Sequence, residues 1–160
     1  MKKKIILLCM MLFSVMLSGC SETEKTFSGA GVTITLNDTF IEKTVVQAPF
    51  YLESQNQIFM SLRESKDTLA GVGITTLDQY ISAVLKNGNK TAEVFDKTEG
   101  DLNYKYAYYE ASVNDQDFGY MLLVLESDGY FYSMNFGCVS SKLDKYKDQF
   151  FDWAKTIKVE

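Results

Sequence analysis

The sequence contains no histidine, although it has 160 residues. Catalytic triads, metal sites and proton shuttles that depend on an imidazole are therefore excluded. The chain also lacks a Gly-x-Ser-x-Gly motif, and no serine stands three residues before a lysine. Acyl-transfer enzymes built on those two motifs are excluded as well.

Cysteine is scarce, with only Cys9, Cys20 and Cys138 in the chain. Cys9 lies in an apolar run near the N-terminus, so an exported and processed chain would keep Cys20 and Cys138 alone. A disulfide between these two would tie the N-terminus to a late part of the domain, which is an unusual arrangement. Cys138 shares one face of a predicted strand with Tyr130, Tyr132, Met134 and Phe136, so we expect a buried, unreactive thiol.

Positive charge is also limited, with 16 Lys and Arg against 21 Asp and Glu, a net charge of −5. Three of the lysines and none of the acids lie in residues 1–19, so removal of that segment leaves 13 basic and 21 acidic residues, or −8. Such a surface repels nucleic acid and anionic lipid headgroups. No dense basic patch offsets it, and we expect no nucleic-acid partner.

The N-terminus has the layout of a secretory signal peptide. Lys2–Lys4 precede an apolar run of 13 residues from Ile5 to Leu17, broken only by Ser14, and small residues follow. A helix of that length spans about 20 Å, less than the roughly 30 Å of a bilayer core. The sequence therefore favours a cleaved signal peptide over residues 1–19, with an uncleaved signal anchor as the alternative.

The stretch Leu17-Ser18-Gly19-Cys20 resembles a bacterial lipobox, with leucine three positions before the cysteine. The resemblance implies cleavage between Gly19 and Cys20, a diacylglyceryl group on the Cys20 sulfur, and a further acyl chain such as palmitate on the new amino terminus. Two or three acyl chains hold a protein on a membrane durably. The alternative is an ordinary signal peptide that ends in a cysteine. We expect a lipid-anchored protein on the extracytoplasmic face of a bacterial cell membrane.

Residues 20–30 are predicted to be the lipidated N-terminus and a polar tether, and residues 31–160 a single α+β domain. A loop is predicted over 64–75, with a short strand at 70–74 as an alternative. Thr76 and Gln79 form a capping box for a helix over 77–86, and Ser140 or Ser141 would cap a last helix. Alternation and turn signals predict strands over 32–36, 41–47, 57–62, 91–97, 102–113, 118–126, 130–139 and 157–159.

The run Met121-Leu122-Leu123-Val124-Leu125 is apolar without alternation. A strand of this kind is covered on both faces. The two predicted helices are amphipathic and are the obvious covers. The sequence therefore predicts a mostly antiparallel sheet with helices packed on both faces.

A row of tyrosines is the main candidate for a ligand-binding face. Tyr104, Tyr106 and Tyr108 alternate along one predicted strand and so share one of its faces. On an exported protein such a row can stack on sugar rings or contact a peptide. The alternative is that the row packs in or beside the core.

Two further patterns fail as sites. Asp115, Asp117 and Glu126 match three positions of a calcium loop, but Tyr120 stands where that loop needs glycine. The pair Gly71 and Gly73 before a helix is too short a match to a nucleotide-binding loop. We therefore expect neither a metal nor a cofactor.

The order of the elements resembles small bacterial lipoproteins of the PsbP-like fold, the DcrB-like type among them. The resemblance covers roughly residues 30–160 and includes the helix start T-L-D-Q-Y at 76–80 and the helix end F-F-D-W-A-K-T-I at 150–157. It implies an antiparallel sheet between helices and a role as an accessory or binding protein. The family has no common catalytic residues, so the resemblance assigns none here.

The sequence predicts a membrane-anchored, non-enzymatic binding or accessory module for an envelope component or a secreted partner. The alternative is an envelope carbohydrate-binding protein, or a cell-wall hydrolase that uses carboxylates, since paired acids can hydrolyse glycosides without histidine. Two acids roughly 5–10 Å apart in a tyrosine-lined cleft would indicate the hydrolase.

Overall fold

The computed structural model describes residues 23–46 and 48–160. The predicted signal peptide at residues 1–19 and the lipidation stretch from Leu17 to Cys20 lie outside these residues. Within the part that is described, no helix combines the length and the apolar character that a membrane crossing requires.

Ten strands and three helices make up the described chain. The strands are β1 (Glu24–Gly29), β2 (Val32–Asn37), β3 (Ile41–Glu42), β4 (Phe50–Glu53), β5 (Gln57–Ser65), β6 (Val94–Glu99), β7 (Leu102–Val113), β8 (Gln116–Glu126), β9 (Tyr130–Val139) and β10 (Lys158–Val159). The helices are α1 (Lys66–Ala70), α2 (Leu77–Asn87) and α3 (Leu143–Ala154).

The strands form two sheets in which every pairing is antiparallel. A large sheet has the order β3-β4-β5-β9-β8-β7-β6, and a small one has the order β1-β2-β10. The edges of the large sheet are β3, which is only two residues long, and β6. Most neighbours in the large sheet are consecutive in the chain, so short hairpins supply most of its connections.

The large sheet is covered on both faces, and β8 shows this most directly. Its residues from Gly119 to Leu125 are all buried. Met121, Leu123 and Leu125 join the core beneath α3 and the small sheet. Leu122 and Val124 join a second, smaller core beneath α2. The predicted α+β fold, an antiparallel sheet with helices on both faces, is confirmed.

Helix α2 begins as the sequence predicts. The Thr76 hydroxyl accepts a hydrogen bond from the Gln79 amide at 3.3 Å, and the Gln79 side chain accepts one from the Thr76 amide at 3.1 Å. These two bonds satisfy donors that a helix start otherwise leaves unpaired. The helix buries Tyr80, whose ring stacks on Phe131 with centroids 5.0 Å apart.

The predicted tether over residues 20–30 is wrong for the part that the structure describes. Residues 24–29 form β1, which pairs along its whole length with β2. Ala30 and Gly31 both have positive φ, 49° and 75°, and make the two-residue turn that antiparallel hairpins favour. Phe27 points into the core with 8% of its surface exposed. The polar composition concealed the strand because its other side chains are mostly exposed.

Several other boundaries differ from the prediction. The strand predicted over 41–47 is observed only at Ile41–Glu42, and β4 at Phe50–Glu53 was not predicted. The predicted loop over 64–75 contains α1, where the Ser65 side chain accepts a hydrogen bond from Thr68. Strand β6 begins at Val94 rather than at residue 91.

The predicted serine cap of α3 is also wrong. Residues 140–142 form a turn of 3-10 helix, and α3 begins at Leu143 without a side-chain cap. The Ser140 hydroxyl is engaged elsewhere, since it donates to the Glu110 carboxylate. Packing therefore holds the start of α3, because Leu143 is buried against Gly119 of the sheet.

Candidate functional site

The tyrosine row of β7 lies beneath α3. Tyr104 is buried, with 2% of its surface exposed, and its hydroxyl donates to Glu99 at 3.1 Å. Burial, reinforced by the Glu99 carboxylate, raises the pKa of the Tyr104 hydroxyl. Tyr106 is half-buried, and its ring meets Phe151 of α3 edge to face at 5.2 Å.

Tyr108 completes the row and is half-buried under the same helix. The Lys147 ammonium lies 4.6 Å above its ring centroid. Its hydroxyl is buried and has no hydrogen-bond partner among the described residues. Burial raises the pKa of Tyr108 to about 12. All three side chains thus pack in or against the main core, as in the alternative interpretation of the row.

The buried thiol predicted at Cys138 is confirmed. Cys138 lies on β9 in the main core with 2% of its surface exposed, and it forms no disulfide within the described residues. Burial raises its pKa to about 11, because the apolar surroundings disfavour the thiolate. A thiol in this state is a poor nucleophile.

Glu126 lies far from the other two acids that matched a calcium loop, Asp115 and Asp117. Asp117 and Glu126 stand at opposite ends of β8, and nine extended residues span about 30 Å. Glu126 pairs with Lys66 at 2.6 Å, and Asp117 accepts a hydrogen bond from Ser112. In the described ranges no three His, Cys, Asp or Glu side chains come close enough together to hold a metal ion.

A polar pocket that the sequence analysis missed lies at one end of the molecule. Its volume is about 460 Å³, within the range of about 300–1,000 Å³ typical of small-molecule sites. Three segments meet there. Its lining comprises Asn37 at the end of β2 and Thr39 just after it, residues 54–57 of the β4–β5 turn and the start of β5, and Lys145, Tyr146 and Gln149 of α3.

The β4–β5 turn forms the floor of the polar pocket. The Ser54 amide donates to the Gln57 carbonyl at 2.8 Å, and the Ser54 hydroxyl accepts from the Gln57 amide at 3.2 Å. These bonds close a two-residue loop of Gln55 and Asn56. Lys142, just before α3, donates to the Asn56 carboxamide at 3.3 Å and links the turn to the helix.

The side chains of α3 face the turn across the pocket. Tyr146 and Gln149 are three residues apart and so lie on one side of the helix. The side-chain nitrogen of Gln57 (Nε2) donates to the side-chain oxygen of Gln149 (Oε1) at 2.7 Å. Since a carboxamide has two N–H donors and an acceptor oxygen, the linked pair presents hydrogen-bonding capacity of both kinds.

The chemistry of the lining suits an uncharged, hydroxyl-rich ligand better than a charged one. Amides and hydroxyls provide donors and acceptors, the Tyr146 ring provides an apolar surface, and Lys145 is the one charged residue in the lining. None of the lining residues is acidic. The polar pocket therefore contains a tyrosine, but it lacks the paired acids that would indicate a hydrolase.

Two other hollows are less well formed. An open one of about 510 Å³ lies between the end of α2 and β6. A small cavity of about 120 Å³ contains the hydroxyl of Ser61, which is buried without a hydrogen-bond partner among the described residues. Neither gathers as many hydrogen-bonding side chains as the polar pocket.

Comparison with known proteins identifies the fold. No protein-family model matches this sequence, and no curated protein matches it. The solution structure of CyanoP, the cyanobacterial PsbP protein of Synechocystis, is similar with a TM-score of 0.61 and 15% identity, covering 93% of this chain and 99% of CyanoP. The PsbP-like fold is therefore confirmed.

Two further solved structures share this architecture. A Bacteroides thetaiotaomicron protein has a TM-score of 0.56 and 12% identity, over 85% of this chain and 48% of the other. A Pseudomonas aeruginosa protein of unknown function, described as a putative regulator, has a TM-score of 0.52 and 10% identity, over 86% and 97%. Identities this low establish a common fold and carry no function across.

Proposed function

We propose that this chain is a non-enzymatic binding module, held on the extracytoplasmic face of a bacterial cell membrane by lipidated Cys20. The polar pocket is the observation that supports binding. It collects neutral hydrogen-bonding side chains from three separate segments, and two of them, Asn37 and Gln57, are buried. Asn37 accepts a hydrogen bond from Thr39 and Gln57 donates one to Gln149, so these side chains are held in place and present a preorganised polar lining to a ligand.

The leader and the L-S-G-C stretch support the anchor. The DcrB-like lipoproteins that the sequence resembles combine such a leader with a PsbP-like domain, and their accessory role agrees with this proposal. The partner is an envelope component that is accessible at the outer surface of that membrane. Nucleic acid is not a candidate, because the net charge of −8 that remains after removal of residues 1–19 repels it.

The anchor is tested by replacing the cysteine of the L-S-G-C stretch. We expect Cys20→Ala to abolish labelling by a radioactive fatty acid and to move the protein out of the lipidated membrane pool. Cys9→Ala is the matched control, because it removes a leader cysteine that has no role in lipidation. Unchanged labelling of the Cys20→Ala variant would contradict the anchor.

Binding is tested by crosslinking from the pocket in intact envelopes. A photoreactive amino acid at the exposed Gln55 should capture a defined envelope component from wild-type cells. Gln149→Ala should reduce this capture several-fold, since one lost hydrogen bond costs about 0.5–1.5 kcal/mol. Gln116→Ala, at an exposed glutamine that begins β8 outside the pocket lining, should leave it unchanged. Equal capture by both variants would argue against the polar pocket as the binding site.

A further inference from the structure

The polar pocket and the start of the described chain lie at the same end of the fold. Glu24, the first residue of β1, pairs with Asn37, the last residue of β2. The Thr23 carbonyl accepts a hydrogen bond from the Asp38 amide at 2.8 Å. Asn37 and Thr39, which flank Asp38, line the polar pocket. The chain therefore enters the domain at the pocket wall.

The short distance in sequence from Cys20 to Thr23 limits how far the pocket can stand from the membrane. Three residues of fully extended chain reach at most about 11 Å. If Cys20 carries the acyl chains, its sulfur lies at the level of the lipid headgroups, and Thr23 lies within that reach of it. Because β1 is paired from Glu24 onward, no long tether separates the domain from the bilayer.

The rest of the pocket belongs to this same end of the molecule. Gln57 begins β5 opposite Cys138, near the end of β9, and the chain then turns directly into α3. The first seven residues of α3 include Lys145, Tyr146 and Gln149. The opposite end of the sheet, with the hairpin at 127–129, lies a whole strand length away. The pocket is thus the membrane-proximal part of the domain.

The lining chemistry selects among lipid headgroups. An anionic headgroup would meet the ammonium of Lys145 in the lining and that of Lys142, which is already bonded to Asn56, on a protein whose net charge opposes it. A sugar headgroup has several hydroxyls, each of which can donate and accept a hydrogen bond with the side-chain carboxamides of Gln57 and Gln149. It also has an apolar ring face for Tyr146, whose ring is held by stacking on Phe150 at 6.2 Å.

We propose that the polar pocket binds the glycosyl headgroup of a lipid in the membrane that anchors the protein. This inference rests on the proposed function, since only the lipid on Cys20 brings the pocket to the headgroups. Anchoring and binding in the same membrane make the second contact intramolecular in effect, so a weak site can be well occupied. The alternative source of the same chemistry is a soluble glycan.

The test uses the mature lipidated protein in nanodiscs of phosphatidylcholine. Separate arms add glucosyl diacylglycerol, phosphatidylglycerol, or free maltose in the buffer, and hydrogen exchange is followed at the backbone amides of 54–57. We expect glucosyl diacylglycerol to slow this exchange about tenfold, which corresponds to about 1.4 kcal/mol. Phosphatidylglycerol, and maltose at the same total concentration, should leave it unchanged.

Variants assign the effect to the pocket. Gln149→Ala and Tyr146→Ala should lose most of the protection, whereas Gln116→Ala should keep it. Exchange at the buried amides of β8, measured in the same samples, reports whether each variant is folded. Tyr146→Phe keeps the ring and should retain the protection, so it tests stacking in a variant with little risk of misfolding.

Three results would overturn the inference. They are equal protection by phosphatidylglycerol, equal protection by free maltose, or protection that persists in a folded Gln149→Ala variant. A failed anchor gives a different result. In that case the wild-type protein carries no acyl chain by mass spectrometry and Cys20→Ala keeps its membrane association, which overturns the premise of the inference before the nanodisc arms are run.

Discussion

The two faces of the large sheet are covered in different ways. On one face α2 closes a small core of seven buried residues, and a capping box holds its first turn. On the other face α3 and the small sheet close a core of 21 buried residues, and α3 begins without a side-chain cap. Local hydrogen bonds thus define the helix over the small core, and packing defines the helix over the large one. The polar pocket lies beside the helix that packing holds.

The largest expected effects come from the two cores themselves. Phe136 is fully buried among Phe59, Phe150 and Trp153, and its replacement by alanine should destabilise the protein by about 5 kcal/mol. Phe131→Ala in the smaller core should cost about 3 kcal/mol. Urea unfolding of both variants measures the difference. Equal losses would break the comparison between the two faces.

A pH titration sharpens the comparison on the α3 side. Burial raises the Cys138 pKa to about 11, so the unfolded chain, with a thiol pKa near 9.0, releases its proton first as the pH rises. The stability that the protonated thiol contributes is therefore complete below about pH 9 and is lost by about pH 11. The difference in unfolding free energy between wild type and Cys138→Ala should change over this interval. A difference that stays constant would contradict a buried thiol.

The same burial controls how Cys138 reacts. Because the Cys138 pKa is about 11 instead of 9.0, the thiolate fraction near neutral pH is about a hundredfold lower than for a free thiol. The surrounding core also blocks access of reagents to the sulfur. Iodoacetamide should therefore label native protein far more slowly than protein in urea. Rapid labelling of the native protein would show that this core opens readily.

The smallest expected effects compare the two helix starts. Thr76→Ala removes the α2 cap and should destabilise the protein by about 1 kcal/mol. Ser141→Ala, at the corresponding point before α3, should change stability by less than about 0.5 kcal/mol, because Ser141 caps nothing. Thermal unfolding of the two variants provides the measurement. A loss at Ser141 as large as that at Thr76 would remove the distinction between the helix starts.

Sequence periodicity predicted the central part of the fold well. The bounds of β7 and β9 agree with the prediction, and the two-sided burial of β8 follows from its unbroken apolar run. Helix α2 was predicted together with its cap, because the capping box is a local pattern of two residues. In these elements the signal lies within the segment itself.

The parts that were missed depend on partners distant in the chain. Strand β1 is polar except for Phe27, and its pairing with β2 defines it. The sequence around Ser140 is typical of a helix cap, yet the Ser140 hydroxyl donates its hydrogen bond to Glu110 of β7. The polar pocket joins residues about 90 positions apart, such as Gln57 and Gln149. The polar run at 54–57 was its only local signal, and any surface turn can look the same.

The two edge strands of the large sheet determine how readily copies of the protein could pair with one another. Molecules confined to a membrane plane meet far more often than molecules in bulk, and an exposed strand edge is a template for edge-to-edge aggregation. One edge is β3, with only two paired residues, and the other is β6, which has charged side chains at Asp96, Lys97 and Glu99. A short edge and a charged edge both disfavour strand addition. The large sheet is therefore poorly suited to edge-to-edge pairing between copies.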